Sequence, residues 1–168
     1  MKLVVDVHFD KAGGATAAAV VFDDWATFEA TKTVSLKIDH VEKAAKGELD
    51  LRELPWLIQL MNANALQPEI IVFDGFVFLD PQETPGLGKH LFDALGGRVP
   101  VIGASKTAMK DTPAQFEVYR EDETPPLVVT CAGIDLGAAK ARLRTMHGKK
   151  RMPTLMKLAA RVAKGNAG

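Results

Sequence analysis

Apolar and polar residues follow different rhythms in successive parts of this chain, and each rhythm predicts a kind of element. Leu3 to Phe9 is apolar except at Asp6 and His8, as a largely buried strand would be. Lys11-Ala12-Gly13-Gly14 then supplies turn residues, and Ala15 to Phe22, rich in Ala and Val, reads as a second strand. Thr33 to Ile38 alternates apolar and polar side chains, the period of a half-exposed third strand. Three strands in succession predict an antiparallel meander.

The pattern then changes. A helix is predicted from about Leu54 to Ala65, with Pro55 in its first turn, where a missing N–H costs nothing. Glu69 to Phe73 is a short, almost wholly apolar run, as expected of a central strand buried on both faces. Pro85-Gly86-Leu87-Gly88 opens a helix to about Leu95, and Val99 to Gly103 is another buried strand. Phe116–Tyr119 and Leu127–Thr130 read as short strands, and Ala138–Met146 and Thr154–Ala163 as closing helices. A meander that runs on into crossover units gives a mixed α/β sheet, three antiparallel strands continuing into parallel ones, with helices on both faces. That is the element order of the ribonuclease H-like fold. A doubly wound nucleotide-binding fold would alternate strand and helix from its beginning. There is no internal repeat, and 168 residues suit one domain, expected to span 1–168.

Composition adds exclusions. No run of about 18 apolar residues offers a membrane span, and no apolar signal segment precedes the first strand. Cys131 is the only cysteine, so neither a disulfide framework nor a cysteine zinc site is available. A soluble, cytoplasmic protein, monomeric and without membrane partners, is the expectation. The net charge is +0 but unevenly spread. After Asp135 there is no acid, and the tail from Lys140 to Lys164 carries nine basic residues, Lys149, Lys150 and Arg151 among them. The rest of the chain holds 12 basic and 21 acidic residues, a net −9. A basic segment beside an acidic body suits contact with phosphate on one surface and with metal on another; a solvated helix face is the alternative.

Three acids stand out. Asp6 interrupts an apolar strand, and an unpaired carboxylate there would cost several kcal/mol, so it calls for a cation, donors or an open cleft. Asp74 ends another apolar strand and is followed by Gly75, which lets a ligand backbone approach. If the two strands are neighbours, the acids converge; otherwise each is a structural acid capping a turn or pairing with a base. Glu53 stands at a capping-box spacing from Asp50, but Pro55 argues for a later helix start, with Glu53 near the first residue and pointing into a cleft. Lys106, just past a buried strand, can neutralise a phosphate or sit on the surface after a turn. Gly86-Leu87-Gly88 is a weak phosphate-loop signal without full Walker spacing.

Together these segments resemble endonuclease V, the deoxyinosine 3′ endonuclease family. Val5-Asp6-Val7 is similar to its first-strand motif, Leu51-Arg52-Glu53-Leu54-Pro55 to its Arg-Glu motif, and Val72-Phe73-Asp74-Gly75 with Leu79-Asp80-Pro81, Gly86-Leu87-Gly88 and His90-Leu91 to its most distinctive block. Pro100-Val101-Ile102-Gly103 with Lys106 matches its lysine-bearing strand, and Arg151-Met152-Pro153 its C-terminal Arg-x-Pro region. The resemblance implies the ribonuclease H-like fold and hydrolysis of phosphodiester bonds in DNA or RNA. Asp6, Glu53 and Asp74 would hold Mg²⁺ or Mn²⁺, and Lys106 would stand at the cleaved phosphate. Gly75, Asp80, His90, Lys149, Lys150 and Arg151 would contact nucleic acid. Three positions depart from the family pattern. Its Tyr-x-Pro-Gly wedge falls at Ala44-Ala45-Lys46-Gly47, its His-Pro at Asp80-Pro81, and the acid of its last helix at Ala160. Asp80 could serve as an extra acid or cap a turn. Two rival readings follow: a nucleic-acid-binding module that kept the fold and lost cleavage, and a small-molecule enzyme using the Gly86-Leu87-Gly88 turn for a phosphate.

Overall fold

Residues 1–41, 50–109, 111–121 and 124–165 are described by the structure, a computed structural model. The expected wedge position, 44–47, lies outside them. Among the described residues seven strands form one sheet: β1 (Lys2–Phe9), β2 (Ala15–Phe22), β3 (Lys32–Ile38), β4 (Ile70–Phe73), β5 (Val101–Ser105), β6 (Glu117–Val118) and β7 (Leu127–Ala132). Their spatial order is β3-β2-β1-β4-β5-β7-β6. β1, β2 and β3 are the antiparallel meander, β4 and β5 add parallel to β1, and β7 returns antiparallel to β5. This is the ribonuclease H-like arrangement that the element order predicts.

Among the described residues four α-helices cover the sheet: α1 (Glu53–Ala63), α2 (Leu87–Ala94), α3 (Leu136–Thr145) and α4 (Thr154–Ala163). Alternation along the central strands assigns each side chain to a face. Leu3, Val5, Ile71, Phe73 and Val101 pack with Leu57, Leu60 and Leu91 of α1 and α2. Val4, Val72, Ile102 and Val129 pack with Leu143, Leu155 and Ala159 of α3 and α4. Burial on both sides is why the central strands read as continuous apolar runs.

Several boundaries differ from the sequence expectation for identifiable reasons. β5 runs two residues later than expected, because parallel pairing sets Ile71 against Val101 while the Pro100 carbonyl accepts the Ile71 amide at 3.0 Å. α3 starts two residues early, capped by Asp135, whose carboxylate accepts the Ala138 amide. The expected strand 116–119 is reduced to Glu117–Val118 by a 3-10 turn over Ala114–Phe116. Among the described residues no helix is long and apolar enough to cross a membrane.

Candidate active site

Three parallel strands lie side by side, and the candidate chemistry stands where β4 and β5 end and where β1 runs on past its pairing with β4. Val5 is in register with Phe73, and Phe73 with Gly103. Asp6 and Asp74 are therefore the next residues of two adjacent strands, and Lys106 directly follows the last residue of the third, Ser105. By alternation Asp6 shares the face of Val4, against which α4 packs.

The charged groups act on one another across this end of the sheet. Burial pushes the Asp6 carboxyl up to about 6, the Asp74 charge pushes the same way, and a hydrogen bond from the Val7 amide and the Lys164 charge pull it back. Asp74 is open to solvent, yet enough protein surrounds its carboxyl for burial to raise it, against the pull of Lys106. Two carboxylates that repel and two lysines within electrostatic reach thus meet at this end of the sheet. Lys164, at the end of α4, was not anticipated. The signal was its spacing, one helical turn beyond Ala160 on a helix facing β1.

Glu53 is the first residue of α1, after a 3-10 turn over Asp50–Arg52, with Pro55 in the first turn as expected. It lines a pocket of about 160 Å³ with Asp74, Gly75 and the Phe73 and Phe76 rings. The acids thus overlap in pairs, Asp6 with Asp74 and Asp74 with Glu53. Among the described residues no three His, Cys, Asp or Glu side chains form a ready-made metal cage. Still, the donors are all carboxylate oxygens, which suit a hard cation. Mg²⁺ retains much of its water and needs only one or two protein carboxylates beside a substrate phosphate. Two half-screened carboxylates that repel each other are what such an ion relieves, so the residues fit a divalent metal.

Close packing holds the Asp74 turn. A Cβ at Gly103 would lie 2.4 Å from the Gly75 carbonyl oxygen, so only glycine lets the turn rest on β5. The Thr130 hydroxyl of β7 accepts the Val77 amide at 2.9 Å and secures the far side of the turn.

The remaining candidates stand elsewhere. Asp80 caps its own turn, accepting from the Gln82 and Thr84 amides at 3.0 and 3.1 Å and from the Thr84 hydroxyl at 2.6 Å. With Pro81 it lines a separate pocket of about 330 Å³ that shares no residue with the Asp74 pocket. His90 is half-buried on α2, its amide bonded to the Gly86 carbonyl. The Gly86 and Gly88 amides, which a phosphate loop would offer, are bonded to the Val77 and Phe76 carbonyls at 2.9 and 3.1 Å. That argues against the phosphate-loop reading. Lys149 and Lys150 are exposed on the α3–α4 connection, while Arg151 is half-buried and donates to the carbonyls of Lys106 and Pro126.

Comparison with known proteins bears on the family and the fold. The family model of endonuclease V matches residues 3–150. Endonuclease V of Streptomyces coelicolor is 30% identical over 167 residues, covering 97% of this chain and 65% of the relative. That of Azotobacter vinelandii is 30% identical over 121 residues, covering 72% of this chain and 53% of the relative. The chain therefore spans between about half and two thirds of the length of these curated relatives. The crystal structure of Ciona intestinalis endonuclease V with a 24mer DNA containing an inosine followed by a ribo-adenosine aligns with a TM-score of 0.77 at 18% identity, covering 98% of this chain and 84% of that one. At that identity the likeness is one of fold. A family model matched over most of the chain, with a relative alignable along nearly all of it, leads to one conclusion: this chain belongs to the endonuclease V family.

Proposed function

We propose that the chain is a divalent-metal-dependent endonuclease that hydrolyses phosphodiester bonds of nucleic acid, near deaminated bases such as inosine, in DNA repair. The observation that carries this reading is the grouping of Asp6, where the parallel pairing of β1 with β4 stops, with Asp74 and Lys106, just past the ends of β4 and β5. Asp6 and Asp74 hold Mg²⁺ or Mn²⁺, and Glu53 completes the site from α1. The bound ion supplies Lewis-acid stabilisation of the charge that builds on the phosphate. Lys106, whose charge already reaches Asp74, faces a phosphate oxygen and offsets part of that charge. The Asp74–Gly75 turn brings the substrate backbone close to the carboxylates. The basic tail holds more distant phosphates, so binding weakens steeply with salt. DNA is the favoured substrate, since the Ciona relative was crystallised with inosine-containing DNA; RNA is the other. The reading takes the protein to be a cytoplasmic monomer.

A second reading has its own support. Ala160 and Lys164 stand on α4, the helix over Asp6, where the family pattern has an acid. A cation there competes with a metal for Asp6, which favours a binding module with weakened cleavage. The deciding experiment incubates the protein with inosine-containing and plain oligonucleotides across Mg²⁺ and Mn²⁺ concentrations. Metal-dependent product supports the nuclease. Salt-sensitive binding with no product under either ion replaces it with the binding module.

A further inference from the structure

The α3–α4 connection, 146–153, has no regular structure and carries three consecutive basic residues, Lys149, Lys150 and Arg151. A cation holds it. Arg120 is only 4% exposed, and its guanidinium points into the loop. Nη1 donates to the carbonyls of Lys150 and Arg151 at 2.7 and 3.3 Å. Nη2 donates to the carbonyls of Met146 and Gly148. Four carbonyls of one short loop thus converge on one planar fork, which a lysine could not satisfy.

The loop so held presents Arg151. Its Nη2 donates to the Lys106 carbonyl and, at 3.1 Å, to the Pro126 carbonyl, joining the end of β5 to the start of β7. The Lys106 turn is fixed from its other side by the buried Ser105, whose hydroxyl accepts the Thr107 amide at 3.0 Å. The peptide of Lys106 is therefore clamped on both sides, and its side chain leaves from a defined point beside Asp74.

We infer that Arg151 is a positioning residue for Lys106, and that Arg120 in turn positions Arg151 through the loop backbone. The relay runs from Arg120 to the carbonyls of 146–151, from Arg151 to the Lys106 carbonyl, and from Lys106 to the ground beside Asp74. Its catalytic consequence rests on the proposed nuclease reading; the relay itself does not. The competing role for Arg151 is the one its sequence suggests, a phosphate ligand.

A cleavage assay with the full chain separates the two roles. Arg151→Ala should lower kcat by about 100-fold, the scale of a misplaced catalytic group, and leave KM nearly unchanged. Arg151→Lys should restore part of the rate, because both carbonyls accept from the one Nη2 and an ammonium carries enough N–H donors for two, though without the fixed direction of the planar guanidinium. In the Lys106→Ala background the Arg151→Ala change should cost nothing further. A raised KM, a salt slope lowered by about one and losses additive with Lys106→Ala would overturn the proposal in favour of a phosphate ligand. A second readout does not depend on cleavage: the rate at which acetic anhydride labels Lys106, followed by mass spectrometry, with the exposed Lys37 as internal control. Arg151→Ala should change the Lys106 rate severalfold and leave Lys37 alone, and Arg120→Lys should do the same if it folds. If the parent does not cleave, the nuclease reading fails while the labelling still decides the relay. An unchanged Lys106 rate in folded Arg151→Ala rejects the relay.

Discussion

Asp6 with Asp74, and Arg120 with Arg151, are two like-charged pairs in one molecule, and the chain treats them in opposite ways. The guanidiniums are bonded to peptide carbonyls: four for Arg120 and two for Arg151. The carboxylates lack such satisfaction. Among the described residues neither has a cation within salt-bridge distance, and burial raises both. Carbonyls hold a cation without cancelling its charge, so the arginine region is mostly bonded as it stands, although the buried Nε of Arg120 and that of Arg151 have no partner. The acidic region is electrostatically incomplete and gains by accepting a positive ligand. The arginine pair gives most of its donors to the scaffold, and the acid pair is the candidate site.

The sharpest way to break this contrast is to neutralise the acid pair. Asp74→Asn should reduce metal-dependent cleavage by about 100- to 10,000-fold, the range for losing a group that acts on the reacting atoms, with the fold intact by circular dichroism. Cleavage at the parental rate would remove Asp74 from the site. Next in size is the arginine pair. Arg120→Met strands several carbonyls and should lower stability by about 3 kcal/mol, seen as a lower urea midpoint at unchanged slope. A parental midpoint would show the clamp contributes nothing.

Asp6 should behave in the opposite sense. Its carboxyl is raised in the folded protein from 3.8 to about 6, so the native state binds more protons than the unfolded chain between those values. Stability from this group is complete below the lower value and is lost as pH rises through the upper one. Without metal, Asp6→Asn should therefore be more stable than the parent by about 1–2 kcal/mol at pH 7.5, and the gap should shrink by pH 4. A gap that does not vary with pH contradicts the raised carboxyl. The smallest effect belongs to the exposed loop charges. Lys149→Ala should lower the salt slope of oligonucleotide binding by about one, equally for all base sequences.

Much of the contrast could be read before the fold was known, but only on its acidic side. Asp6 was legible because a carboxylate in an apolar strand violates the local pattern, and Asp74 because it ends a run of four buried residues. The parallel neighbours that bring them together follow from element order. Glu53 was legible from the conflict between a capping-box spacing and Pro55. Arg120 left no trace, since it follows a short expected strand and precedes a run of acids, and its partners are main-chain carbonyls, which every residue has. Arg151 reads from the sequence as a contact to nucleic acid, and its Nη2 donates to two main-chain carbonyls that no pattern could announce. Asp80 read equally as acid or cap, and its three accepted hydrogen bonds show it capping the turn.

At position 103 the clearance between β5 and the turn above it is less than one methyl group, 2.4 Å from where a Cβ would sit to the nearest oxygen. The oxygen belongs to the residue after Asp74, so extra bulk there would lift that carboxylate before it disturbed the hydrophobic layers beneath. Drift at this position would register first as slowed turnover in an otherwise well-behaved protein. Among the described glycines the smallest such clearance lies beside the candidate site.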